Sequence, residues 1–488
     1  MPAATPQFAS ALRVLRTLRA AGHQAFLAGG CVRDLLLGHE PADYDIATSA
    51  TPDAVLGLFP RTFAVGAHFG VVLFADSSGD TAAEDSRRAQ CTEVATFRSD
   101  GVYSDGRHPD AVRYTVSAEE DVLRRDFTIN GLLLDPLADP LSAAGQLSSE
   151  SLRHAVLDHA GGLADLDAGI VRAIGRPEQR FQEDRLRMLR AVRFAARFGF
   201  TIDSATLAAM RALAPRIATV SRERIRDELT KMLIEGRTRR AFELLDQTGL
   251  LAEVLPEAAR MKGIAQPPQF HPEGDVWTHT LLLLDQFEPG CPMTLAWGAL
   301  LHDVGKPPTF RLAERIRFDG HVEVGVAIAA GICRRFRFSN DETRQILALI
   351  ENHMRFMDAP RMKDSTLKRF FRLDGFDQHL ALHKMDCLAA TGSLDNWSYV
   401  RQRYETMPAE AVRPRPLLTG RELIAAGYRP GPAFRPMLQA VEDAQLEGSI
   451  ATAEEALHLI RQRFPAPAGS AQSPPSLHNG EESARPNT

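Results

Sequence analysis

The stretch that most constrains this chain is residues 25–48, AFLAGGCVRDLLLGHEPADYDIAT. A short apolar run, Ala25 to Ala28, meets Gly29-Gly30. Val32-Arg33-Asp34 then opens an apolar periodic segment, and a second extended piece carries Asp43 and Asp45 with one residue between them. The order predicts strand, glycine turn, short helix, strand. Residues two apart on a strand share a face, with Cα atoms about 6.5 Å apart, so Asp43 and Asp45 project together. Two such carboxylates can hold one or two Mg²⁺ ions, which take oxygen ligands and keep positions open for water and phosphate oxygens. The glycines let backbone N–H groups approach a phosphate, and a helix beginning there adds its positive end. The stretch therefore reads as a cradle for a metal-bound triphosphate, weighed against the plainer reading of a turn followed by a solvated polar edge.

Composition sets the frame. A chain of 488 residues has room for about three domains. Its formal net charge is only −5, so any nucleic-acid site has to be a local patch. Five cysteines (Cys31, Cys91, Cys291, Cys333, Cys387) are scattered without a C-x-x-C pair, as in a reducing cytoplasm. No apolar run reaches the roughly 18 residues a membrane span needs, so no membrane partner is expected. Phe8, Leu12, Leu15 and Leu18 recur at helical spacing and predict a packed N-terminal helix rather than a targeting segment.

Along the chain, Thr51-Pro52-Asp53 predicts a helix start, with its end near Pro60. Residues 71–75 (VVLFA) and 92–97 (TEVATF) predict strands, and Glu93 sits on one face of the second. Residues 76–91 and 98–116 are expected to be loops. Ser117 and Glu120 form a capping box for a helix through VLRRDFTIN, which would place Asp126 and Asn130 four apart on one face. Residues 137–153 resemble an insertion, and the pattern is helical from about 156 to near 260. There Leu186, Leu189, Val192 and Ala196 offer an apolar face, while Arg190, Arg193 and Arg197 form a basic stripe. Residues 176–240 hold 16 Lys or Arg against 8 Asp or Glu, a net of +8 suited to an RNA backbone. A solvated helix face with ion pairs is the competing reading. Asp184 and Arg187, three apart and so expected as neighbours on a helix, offer an acceptor and a donor fork. Cytosine and adenine both pair an amino donor with a ring-nitrogen acceptor, whereas uracil and guanine present a carbonyl, so this pair can accept C and A.

The spacing of GG-x-V-R-D with D-Y-D, the run RRDFTIN and the motif E-D-x-x-R (Glu183 to Arg187) resemble the class II tRNA nucleotidyltransferase and bacterial poly(A) polymerase superfamily. The resemblance implies an α+β fold: a nucleotidyltransferase α/β head with a mixed sheet, then all-α neck, HD and C-terminal helical regions. It makes Asp43 and Asp45, completed by Glu93, the catalytic carboxylates that bind Mg²⁺. Gly29, Gly30, Arg33, Arg124, Asp126 and Asn130 would contact the nucleotide triphosphate and sugar. Asp184 and Arg187 would read the base without a template, with Arg190 beside them and Arg193 and Arg197 on RNA.

A second constellation lies at 271–390: His279 in VWTHTLLLL, His302-Asp303 in ALLHDVGKPP, His321, His353 and Asp386. Lone helical histidines are usually packing residues, but this set resembles the HD superfamily of metal-dependent phosphohydrolases. The resemblance implies a divalent transition metal on His279, His302, Asp303 and Asp386, with His321 and His353 completing the shell or a second site, and Lys306 on phosphate. Imidazole and carboxylate donors do not choose among Mn, Ni, Co, Zn and Fe. Capping boxes at Thr419/Glu422 and Thr452/Glu455 predict further helices resembling the segment that follows the HD region in some bacterial CCA-adding enzymes, and residues 465–488 have a disordered composition.

The expected segments are thus 1–155, 156–262, 263–400, 401–464 and 465–488. The expected activity is CCA addition to tRNA from CTP and ATP, in a cytoplasmic monomer or homodimer with no DNA partner. Poly(A) synthesis and CC-only or A-only addition remain open. So do an HD phosphohydrolase with an RNA-binding head and a non-catalytic RNA-binding protein.

Overall fold

The structure, a computed structural model, describes residues 5–59, 62–63, 70–75, 91–100, 112–138 and 149–465. Nearly all of the expected loop at 76–91, the centres of those at 98–116 and 137–153, and the tail beyond 465 lie outside the described residues.

The head is built on a seven-stranded sheet. Its strands are β1 (Ala25–Ala28), β2 (Ile46–Thr48), β3 (Thr62–Phe63), β4 (Val71–Ala75), β5 (Cys91–Thr96), β8 (Leu132–Leu134) and β9 (Val156–Asp158), in the order β3-β4-β5-β2-β1-β8-β9. Only β2 and β5 run parallel, so the sheet is mixed, as expected. The N-terminal helix Pro6–Ala20 packs on β1 and β2 and buries Phe8, Val14, Leu15 and Leu18. Phe26, Ala28, Ala47, Phe97, Val122 and Leu133 form a second apolar cluster. Thr51 caps helix Pro52–Leu58 by accepting a hydrogen bond from the Ala54 N–H at 3.3 Å.

Three expectations change. The segment at 98–116 is not all loop: β6 (Arg98–Asp100) and β7 (Val112–Tyr114) pair antiparallel. The boundary at 155 cuts the sheet, because β9 is its edge strand and pairs with β8. The helix begun at Ser117 stops at Leu123, and residues 128–130 form a separate 3₁₀ turn. Tertiary pairing overrides helix continuation there: the Thr128 N–H donates to the Arg172 carbonyl and the Ile174 N–H to the Asp126 carbonyl.

Beyond the head the chain is helical, and it divides into two compact units, Met1–Glu351 with Met385–Gly392, and Asn352–Lys384 with the residues from Ser393 onward. In the first unit, helix Arg187–Phe198 buries Leu189, Val192 and Ala196, the expected apolar face, together with Phe194. In the second, one core gathers Phe356, Phe370, Phe371 and Phe376, and another gathers Leu418, Leu423, Met437, Val441 and Ile460. Both expected capping boxes form: Thr419 N donates to Glu422 Oε2 at 2.7 Å and Thr452 N to Glu455 Oε2 at 3.0 Å.

Candidate functional site

Asp43 and Asp45 lie in the extended segment just before β2 rather than in the strand itself, with the Asp45 carbonyl still accepting from the Ala28 N–H of β1. The parallel register pairs Ile46 with Val94, so one step earlier Asp45 stands beside Glu93. With Asp43 two residues earlier, three carboxylates therefore gather where β2 begins beside β5, in the interior of the sheet. Burial raises Asp45 to about 7, helped by the charges of Glu93 and Asp43 and opposed by Arg125. Exclusion of water by neighbouring atoms and then the Asp43 charge raise Glu93, although the residue stays exposed. Their oxygens are not among the donor sets drawn within 4.8 Å of one another in the described residues. Hard carboxylate oxygens suit Mg²⁺, which demands oxygen donors and retains waters.

Beside the carboxylates, Gly29 adopts φ 74°, ψ −126°, a conformation that favours glycine, and a Cβ there would stand 3.0 Å from Arg125 Nη1. Helix Gly30–Leu36 follows and buries Arg33, whose guanidinium donates to Asp34 Oδ1 and Asn130 Oδ1. Asn130 Nδ2 donates to Asp126 Oδ1 at 3.0 Å, and Arg190 Nε donates to Asp126 Oδ2 at 2.8 Å. A continuous polar chain thus runs from the glycine turn to helix Arg187–Phe198. Burial disfavours the Asp126 charge, but Arg190, the Asn130 hydrogen bond and Arg187 outweigh it and bring Asp126 down to about 2. Arg33 also lies over the Phe194 and Phe198 rings, 5.0 and 4.6 Å from their centroids. Arg124 pairs with Asp121, and its carbonyl accepts from Arg187 Nη2 at 3.1 Å. Sequence reasoning passed over Arg125 as a site residue; its adjacency to Arg124 was visible, its approach to the glycine turn was not.

Asp184 and Arg187 are not neighbours on one helix. Helix Pro177–Glu183 ends before Asp184, which is extended, and the next helix starts at Arg187. The break has a local cause: Asp184 Oδ1 accepts from the Leu186 N–H at 3.1 Å, the side-chain-to-backbone bond that aspartate offers in place of helix. Nor are the two paired. Asp184 Oδ2 accepts from Arg224 at 2.8 Å, and Arg187 donates to Glu183 at 2.9 Å. The expected basic stripe is also corrected. Arg193 is buried, donating to Glu228 at 2.8 Å and lying 3.1 Å from Glu235, because one side of this helix faces Arg222–Ile234. Arg190 is held by Asp126, and Arg197 is half-buried near Asp34 and Glu235.

The second cluster is carried by helices. His279 lies in Val276–Leu284, His302 caps Met293–Leu301, and Asp386 lies in Phe376–Ala389. Their donor atoms come within 4.8 Å of one another, with His279 Nε2 3.0 Å and His302 Nε2 4.0 Å from Asp386 Oδ1. Asp303 Oδ2 is 3.2 Å from His302 Nε2 and 2.7 Å from Lys306 Nζ. Lys306, expected to contact phosphate, is thus buried against Asp303. His302 Nδ1 and His321 Nδ1 lie 2.8 and 3.0 Å from carbonyl oxygens, which only accept, so Nδ1 carries the proton and Nε2 the lone pair. Gly305 allows this packing: a Cβ there would fall 2.0 Å from the His321 carbonyl oxygen. His353 opens segment His353–Arg361 of the second unit and is buried. Burial lowers His279, but Asp386 and Glu273 outweigh it and raise it to about 9; burial likewise opposes the Asp386 charge, yet His279 and His302 hold it far below the usual carboxylate range. Imidazole with carboxylate donors fits a divalent transition metal.

Three family models match successive stretches of the chain. The Poly A polymerase head domain family matches residues 25–172, the family described as the probable RNA and SrmB-binding site of polymerase A matches 199–262, and the HD domain family matches 276–382. The fold and the two polar clusters define a nucleotidyltransferase head joined to an HD domain, an architecture whose domains imply divalent metal use. The CCA-adding enzyme of Lactobacillus johnsonii is 30% identical over 454 residues, covering 92% of this chain and 96% of that protein. That of Geobacillus thermodenitrificans is 38% identical over 245 residues, 50% of this chain and 54% of its own length. The Bacillus stearothermophilus CCA-adding enzyme, solved in complex with CTP, superposes with a TM-score of 0.69 at 25% identity over 94% of this chain and 98% of that one. The chain belongs to the CCA-adding enzyme family. Among the described residues no helix is long and apolar enough to cross a membrane.

Proposed function

We propose that this chain adds C, C and A to the 3′ end of tRNA, using CTP and ATP. The observation that carries the reading is the convergence of Asp43, Asp45 and Glu93 beside the glycine turn, wired through Arg33, Asn130, Asp126 and Arg190 to the helix that follows Asp184. Mg²⁺ bound by the three carboxylates would supply acidification of the 3′-hydroxyl and charge neutralisation on the triphosphate. Gly29-Gly30 and Arg33 hold the phosphates. Asp126 and Asn130 orient the sugar, with Arg124 anchoring the segment they stand on. The 3′ oxygen bonds to the α-phosphorus as the bond to the β-phosphate oxygen breaks, and pyrophosphate leaves. Asp184 and Arg187 read the base by exchanging Arg224 and Glu183 for its amino group and ring nitrogen. The net charge of +8 across 176–240 supplies phosphate contacts to tRNA, Arg197 contributing from its exposed side.

The relatives' names support tRNA as substrate: one neighbour is the Thermotoga maritima CCA-adding enzyme complexed with tRNA-CCA, which shares the fold at a TM-score of 0.55 and 17% identity. The test is purified protein with tRNA lacking its 3′ end and labelled CTP and ATP. The expected product is tRNA ending in CCA; A tracts, or products ending in CC or lacking C, would refute the assignment. A second reading is favoured by the converging donors of His279, His302 and Asp386. It is a metal-dependent phosphohydrolase activity at the HD site, which His302→Ala should abolish while nucleotide addition continues.

A further inference from the structure

The family matches leave residues 263–275, GIAQPPQFHPEGD, between them. This stretch is tied at its base by Asp275, whose Oδ2 accepts from the Gly263 N–H at 2.6 Å and whose Oδ1 caps helix Val276–Leu284 through the Thr278 N–H at 2.7 Å. From that base it directs side chains into the HD cluster. Glu273 Oε1 accepts from His271 Nδ1 at 2.8 Å and from His279 Nδ1 at 2.7 Å. The Glu273 side chain is 6% exposed, and its Oε2 is buried without a hydrogen-bond partner among the described residues. On the other arm, Gln266, 4% exposed, accepts from Lys306 Nζ at 2.7 Å, and Lys306 in turn holds Asp303.

A carboxylate accepts hydrogen bonds and does not donate them, so the bond to Glu273 keeps the proton of His279 on Nδ1 and leaves Nε2 for a cation shared with Asp386. It also turns the ring, since one tautomer and one partner fix the plane. A carboxylate that orients a metal-bound histidine in this way typically changes metal affinity 10- to 100-fold when removed. We infer that Glu273, steadied by His271, is a positioning residue of the HD metal centre, fixing His279 as an Nε2 donor. The inference rests on the reading of His279, His302 and Asp386 as a metal site.

The experiment uses the full chain with Co²⁺ as probe, in excess Mg²⁺ so that the head carboxylates are occupied. Co²⁺ affinity is measured by competition with a chelating dye, and the visible absorption reports its coordination. Relative to wild type, Glu273→Gln should weaken Co²⁺ binding roughly 10- to 100-fold and alter the spectrum, with nucleotide addition and the melting temperature of the metal-free protein unchanged. His271→Ala, which leaves the bond to His279 in place, should cost less. Should the glutamine variant not fold, Glu273→Asp, with its carboxylate drawn back by one methylene, should give an intermediate loss. Unchanged Co²⁺ affinity and spectrum in Glu273→Gln, with or without a lower melting temperature, would reduce Glu273 to a loop staple and overturn the inference. Wild type binding no more Co²⁺ than His302→Ala would overturn the metal-site reading as well.

Discussion

The two polar clusters of this chain are held together by opposite means. In the head, Asp43, Asp45 and Glu93 converge where β2 begins beside β5, and burial first, then the like charges of Glu93 and Asp43, push Asp45 up to about 7. In the HD cluster, the imidazoles of His279 and His302 face the Asp386 carboxylate, and their donor atoms already lie within 4.8 Å of one another. Each imidazole there is braced behind the donor atom, by Glu273 or the Ala299 carbonyl. The first arrangement is completed only by cationic partners, which suits a site where phosphates come and go. The second is pre-organised and suits a resident ion. Elements explain the contrast: adjacent strands bring carboxylates side by side with no backbone donor to spare, whereas helix ends and a loop supply carbonyls and a glutamate behind each ring.

The largest effect should come from the head. Asp45→Ala should reduce nucleotide addition by on the order of 10⁴-fold, since the site loses one of its few metal oxygens, while Co²⁺ binding at the HD cluster stays at the wild-type level. Addition at near wild-type rate would show that the head carboxylates are not the metal site.

Next comes the helix that braces the head network. Arg193→Ala leaves the buried Glu228 with only Lys231 at 3.9 Å and should cost about 3 kcal/mol of stability, read as a lowered melting temperature. The slope of tRNA affinity against salt should not change. A shallower slope at unchanged stability would instead place Arg193 on RNA.

His302→Ala should follow, weakening Co²⁺ binding by roughly 100-fold or more through loss of a direct donor, with nucleotide addition unaffected. Coupled loss of both activities would mean that the two clusters are not independent.

Much of this was legible in the sequence, for identifiable reasons. Gly29-Gly30, the Thr51 cap and the boxes at Thr419 and Thr452 are local devices whose partners lie within a few residues, and each formed as read. Most of the failures depend on distant partners, the helix break at Asp184 being the local exception. Nothing near Asp184 announces Arg224, and nothing near Arg193 announces Glu228 and Glu235. Periodicity alone made those arginines a surface stripe. The stop at Leu123 needed knowledge of the Arg172 strand-like pairing. Glu273 was missed although it stands six residues before His279, because the signal is a carboxylate behind a ligand rather than a ligand itself.

The smallest effect is the most direct test of the contrast, because both sites answer to protons at different pH. The Asp45 carboxyl carries its proton below about 7, and a protonated carboxyl is no ligand. Raising the pH should therefore lower the Mg²⁺ needed for half-maximal nucleotide addition by up to tenfold per unit, until the curve flattens near 7. His279 carries its second proton, on Nε2, up to about 9, and a metal has to displace it. Co²⁺ affinity at the HD cluster should keep rising by up to tenfold per unit past the point where the head has levelled. Mg²⁺ titrations of addition and Co²⁺ titrations of absorbance from pH 6 to 8.5 separate the two. Curves that bend at the same pH would mean that the repulsive carboxylate site and the braced imidazole site do not differ in the way their geometry implies.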